Sequence, residues 1–234
     1  MIDLELVLPA GWAVLPTAPD TERVRKWAID RVITRALPAS LPRDRAEPWR
    51  RELRKQLTTA TDEAGRNGAR WVVLPLREFN GTRIPGSLLL TILEDQDPQD
   101  PERLLASILD DAGPNGSCLD VGGAPAARIS AVIHQQMYGK QTAGVRVSYY
   151  LPHPERPGVW GLLTFTVLAG ADADTESPVV RGVVFLFDTI ISTLRWVERT
   201  AAPTQDEVLA MVTATVAEIE GAQIEGAAAE PQAV

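Results

Sequence analysis

A single cysteine, Cys118, and two histidines, His134 and His153, stand in a chain of 234 residues. One thiol can neither close an intrachain disulfide nor build a cysteine-rich zinc site. A metal centre would have to rest on carboxylates, yet neither an Asp-x-Asp-x-Asp run nor a His-x-x-x-His pair occurs. Asp172 and Asp174 are spaced like loop ligands for calcium, but no turn glycine or distal glutamate completes the pattern, and chance accounts for them. The nucleophile elbow Gly-x-Ser-x-Gly is missing. Gly122-Gly123 lacks the Gly-x-x-Gly continuation and the Lys-Ser/Thr of phosphate loops, so it is a turn. No catalytic residue, metal or cofactor is assigned.

Also lacking is an uncharged apolar run. The most apolar stretch, Val179 to Val197, contains Arg181, Asp188 and Arg195, too many charges for a membrane span. The first residues, MIDLELVLPAGW, carry acids where a secretory signal needs positive charge, and no long apolar region follows. The expectation is a cytoplasmic protein.

What is present is the composition of an ordinary globular protein, 45% hydrophobic and 23% charged, which excludes global disorder. Eighteen prolines predict short elements separated by ordered turns. The net charge of −8 is unevenly placed: residues 20–70 hold thirteen Lys/Arg against eight Asp/Glu. An acidic chain lacks the basic face that phosphate neutralisation needs, so nucleic acid is not expected as a partner.

Alternation predicts a strand over Ile2 to Pro9, then an extended Trp12 to Leu15. Helical spacing follows twice. Asp20 or Thr21 caps a helix to about Leu37, and a second runs from about Asp44 to Ala64 with Pro48 in its first turn. Together they form a helical hairpin inserted at about 20–66. Ala46, Trp49, Leu53, Leu57, Ala60 and Ala64 make the stripe of the second helix. Strands are predicted at Trp71 to Leu76, Ser87 to Leu93, Ser117 to Val121, Ala126 to Ile133, Gly144 to Leu151 and Trp160 to Leu168, with turns at Asn80-Gly81 and Gly122-Gly123. A short helix is predicted at Pro101 to Ala112. Ser177-Pro178 then caps a helix over Val179 to Val197 that covers the sheet. A last helix spans 203–222, with Thr204 and Glu207 as a capping box, and residues 223–234 form a disordered tail. The fold class is α+β: one domain over 1–200, with a twisted antiparallel sheet of about five to seven strands.

Strand, helices, antiparallel strands and a terminal helix carrying Phe-Asp-x-Ile-Ile-x-Thr-Leu-Arg-Trp, in that order, resemble the PsbP-like superfamily, which includes the nuclear-import Mog family and the LpqN-type lipoproteins of mycobacteria. The residues that carry the likeness are Trp12, Gly123-Ala-Pro-Ala126, Tyr149-Tyr150, Leu163-Thr164-Phe165 and Phe187 to Trp196. The Ala/Arg/Pro-rich texture is similar to that of uncharacterised actinobacterial proteins. The resemblance implies a binding or assembly factor rather than an enzyme, or, by the same analogy, an accessory or chaperone of a specialised (type VII-like) secretion apparatus. It transfers no site residue. The lipoprotein members' lipobox cysteine has no counterpart here.

Two clusters remain as candidate sites. Trp49, Arg50, Arg54 and Lys55 on the second helix could dock a protein with an acidic surface, or the helix an anionic membrane surface; the alternative is a solvated face, since Glu47, Glu52, Asp62 and Glu63 share that helix. His153, between two prolines and beside Glu155, could present a base, and with Tyr149 and Tyr150 it could line a small-ligand or hydrolase pocket. The bland alternative for His153 is a solvent-facing turn residue.

Overall fold

The computed structural model describes residues 2–37, 42–76, 78–79, 82–137, 140–169, 174–199, 204, 206–210 and 212. A seven-stranded sheet, antiparallel throughout, is built from β2 (Trp12–Pro16), β3 (Ala69–Pro75), β6 (Gly86–Glu94), β7 (Gly116–Val121), β8 (Ala124–Met137), β9 (Lys140–Pro152) and β10 (Val159–Leu168). Its spatial order is β2-β3-β6-β10-β9-β8-β7. A separate ribbon pairs β1 (Ile2–Glu5) with β11 (Arg195–Glu198), and β4 (Glu78–Phe79) pairs with β5 (Thr82–Arg83). Helices α1 (Glu22–Ala36), α2 (Arg43–Arg66), α3 (Pro101–Ala112) and α4 (Pro178–Ser192) flank the main sheet, and residues 206–210 are helical too. This is the expected α+β architecture, with the helical pair inserted between β2 and β3.

Period-two alternation places the core. Val145, Val147 and Tyr149 of β9 and Leu163, Phe165 and Val167 of β10 are buried on one face, in register as Leu163↔Tyr149, Phe165↔Val147 and Val167↔Val145. α4 lies over them, with Val180, Val183, Phe187, Ile190 and Ile191 buried. Phe187 stacks on Phe165 with ring centres 4.2 Å apart and lies edge-to-face with Trp12 at 5.2 Å. The other face of β2 and β3 is covered by α1 and α2, through Ala13, Leu15, Val24, Ile29, Ile33, Ala64 and Val72. The helical pair therefore packs on the sheet rather than projecting. Val208 and Val212 join the same cluster.

Several local expectations hold. Ser177 caps α4 by accepting from the Val180 N–H. Thr204 and Glu207 bond reciprocally as a capping box. Gly122 and Gly123 both have positive φ, the requirement of a tight two-residue hairpin turn. The Asn80-Gly81 turn, Asp172 and the tail 223–234 lie outside the described residues, as does most of the helix expected over 203–222.

Two expectations need correction. The covering helix stops at Ser192, not Val197: Thr193 and Leu194 close it with bonds to Ile190 and Ile191, and the next four residues pair with β1. The strand expected over Ile2 to Pro9 is only four residues long and finds its partner in that ribbon, outside the main sheet. Leu194 kept the helical period because the turn buries it. The ribbon lies on the sheet at Gly161, where a Cβ would come within 2.8 Å of Leu4 Cδ1 and 3.3 Å of Trp196.

Candidate functional site

On α2 the four basic-helix residues do not share a face. At 100° per residue, Arg54 lies about 140° round the helix from Trp49, and Lys55 about 120° on the other side. Arg54 turns to α1, where its guanidinium pairs with Asp30 at 2.8 Å. Arg50 pairs with Glu47 at 2.7 Å. Trp49 is 59% exposed on the opposite flank, and Lys55 is exposed between them. The stripe rotates slightly from the expected one: Thr61 is buried and Ala60 is exposed. Arg54 thus ties the helical pair together, and Trp49 faces away from Arg54 and Lys55.

Tyr149, Tyr150 and His153 are not brought together either. Tyr149 is fully buried under α4, and Tyr150 packs with α3 beside Leu105, Ala127 and Trp160. His153 is buried rather than solvent-facing: its Nδ1 accepts the N–H groups of Glu155 and Arg156, both at 3.1 Å, and its ring lies 4.7 Å from that of Trp196. Burial, helped by the Arg156 charge, lowers the His153 pKa. The unfolded chain therefore binds this proton at higher pH than the folded one, so the stability contributed is full above about pH 6.5 and falls as pH drops through that value toward the folded pKa. His153→Asn, whose Oδ1 can accept the same two N–H bonds, is expected to flatten the fall in melting temperature between about pH 7 and 5. Equal slopes for both proteins would show that another group titrates.

A groove with chemical character of its own lies between α4 and the outer strands. Ser117, Arg128, Ser130, Val132 and Val145 line one side, Glu176, Val180, Arg181, Val184, Phe185 and Asp188 the other, around about 500 Å³. That volume is within the range of binding clefts. At its base the Arg128 Nε reaches Asp188 Oδ1 at 2.8 Å and its Nη2 reaches Oδ2 at 3.2 Å, a forked pairing across sheet and helix. The Tyr149 hydroxyl donates to the same carboxylate. Burial first, then that hydrogen bond, raises the Tyr149 pKa, so the phenol stays protonated. The three polar groups satisfy one another and fix α4 on the sheet.

Above this base Val132, Val184 and Phe185 line the groove beside Ser130, Glu176 and Arg181. Phe185 is 73% exposed and Val132 is 55% exposed. Phe185 escapes notice in the sequence because it sits in an apolar run; its signal is position, 200° round the helix from Phe187 and so opposite the buried stripe. Arg128 and Asp188 carry no motif.

Among the described residues there is no grouping of three or more His, Cys, Asp or Glu able to hold a metal, and no helix long and apolar enough to cross a membrane. No protein-family model and no curated protein sequence matches the chain. Among solved structures, it is similar to LpqN, described as involved in cell envelope biogenesis of Mycobacterium tuberculosis, at 13% identity over 85% of each chain with a TM-score of 0.40. It is also similar to a point mutant of protein Mog1, at 13% identity over 53% of this chain and 78% of that one, with a TM-score of 0.36. The likeness is distant.

Proposed function

We propose that this chain is a non-catalytic protein-binding module and that the groove beside α4 is its docking surface. The observation that carries the proposal is Phe185, an aromatic ring left 73% exposed in the same groove as Val132, which is 55% exposed, over a floor held by the Arg128, Asp188 and Tyr149 bonds. Aromatic side chains are enriched at interface cores, and a contiguous apolar patch framed by polar groups is typical of association sites. Supporting a non-catalytic role, the Tyr149, Asp188 and Arg128 groups bond to one another, and the His153 Nδ1 holds a turn.

Covering the Phe185 ring would contribute about 2 kcal/mol, or about thirtyfold in affinity. Placing a photo-crosslinking phenylalanine analogue at position 185 is expected to trap a partner in the native host, whereas the same analogue at position 49 traps less. Phe185→Asp should abolish that partner's co-purification while leaving the melting temperature nearly unchanged, as an exposed substitution does. Trapping at position 49 alone would move the interface to α2 and overturn the proposal.

A further inference from the structure

β8 outruns its outer neighbour. It extends from Ala124 to Met137, whereas β7 pairs with it only as far as Ile129. On its inner side, pairing with β9 continues to Met137↔Lys140. Beyond Ile129 no strand pairs with its outer side among the described residues. An edge of this kind presents alternate backbone N–H and C=O groups as a template for another strand. Proteins usually blunt such edges with charge, proline or a bulge. Residues 130–134 read Ser-Ala-Val-Ile-His, with no proline and no lysine, arginine or acid.

This edge borders the groove. Ser130 and Val132 line it with Val184 and Phe185, while Ala131 and Ile133 alternate to the opposite face. Charge adds a second criterion. Residues 124–152, which include β8 and β9, carry Arg128, Lys140 and Arg146 but no acid, in a chain of net charge −8. Arg128 is paired with Asp188, whereas Arg146 is exposed as the cross-strand neighbour of the small Ala131. A second copy of the chain would bring the same cations to this edge, so self-pairing is disfavoured and an acidic strand is favoured.

Building on the groove as a protein-binding surface, we propose that the free edge of β8 beyond Ile129 takes up an extended acidic-apolar segment of a partner protein as an added strand. Main-chain bonds to β8 hold the segment. Its apolar side chains alternate into the groove against Phe185 and Val132, and its carboxylates lie on the other face near Arg146. A 3-10 turn over Gly113–Asn115 lies beside β8 where β7 ends, so at about 3.4 Å per residue the rest of the edge accommodates about five or six residues.

The test uses the full chain and a fluorescein-labelled octapeptide of alternating valine and glutamate, read by fluorescence anisotropy. Two further peptides carry N-methyl groups on either the odd or the even amides. Strand addition predicts that one methylated peptide loses at least tenfold in affinity and the other keeps it, because only alternate amides face β8. Arg146→Glu should weaken the valine–glutamate peptide about tenfold and leave a valine–threonine peptide unchanged. Equal binding of the two methylated peptides, or no binding at millimolar concentration, overturns strand addition. So does a micromolar dimer, seen by sedimentation, that the peptide cannot dissociate. Crosslinking at position 185 that persists when the methylated peptides bind alike would leave the groove as an interface and remove only the strand.

Discussion

Phe187→Ala is expected to lower the unfolding free energy by about 3–5 kcal/mol. The ring has no exposed surface. It is held between Phe165, stacked with ring centres 4.2 Å apart, and Trp12, and Phe165 in turn stacks on Tyr149 with ring centres 6.2 Å apart. Removing the central ring opens a cavity bounded by two sheet strands and a helix, none of which can collapse freely because each is fixed by its own ladder or hydrogen bonds. For a domain of this length the melting temperature should fall by on the order of 10 °C. Urea denaturation measures the change directly. A loss below about 1 kcal/mol would mean that α4 is not the cover of the core.

Asp188→Ala should cost about 2–4 kcal/mol for a different reason. The carboxylate accepts from both Arg128 and the buried Tyr149 hydroxyl. Its removal leaves a mostly buried guanidinium without its counter-charge and a buried phenol without an acceptor. Tyr149→Phe, which removes only one donor to an acceptor that keeps its arginine, should cost about 1 kcal/mol. The double variant Arg128→Met, Asp188→Leu should recover part of the loss, because an apolar pair replaces a partly buried ion pair with little penalty. Additive losses in the double variant would show that the two side chains do not act as a pair.

These two positions also show what was legible without coordinates. The alternation in Gly144 to Leu151 and Trp160 to Leu168 stated which face of each strand is buried, because period-two burial is imposed on every residue of a sheet covered on one side. Ser177-Pro178 marked the start of α4, since cap chemistry is local. The end of α4 was not legible: what stops it is pairing of Arg195–Glu198 with Ile2–Glu5, a contact across nearly the whole chain. The site was harder still. Trp49 and Arg54 are neighbours in sequence, yet the helix turns them to opposite flanks, and Asp30 on α1 takes up the cation. Phe185 and Val132 line one groove only because the fold brings α4 alongside β8. Neither residue belongs to a chemical motif. Their significance is exposure in the folded chain, a property of tertiary packing that a sequence pattern does not encode.

The central claim is that the groove beside α4 is where a partner binds. Amide hydrogen exchange, measured on the chain alone and with the partner trapped through position 185, tests it most directly. The account predicts slowed exchange in residues 130–136 of β8 and 179–188 of α4, with residues 45–60 of α2 unchanged. Protection confined to α2, with both walls of the groove exchanging as in the free chain, would contradict it.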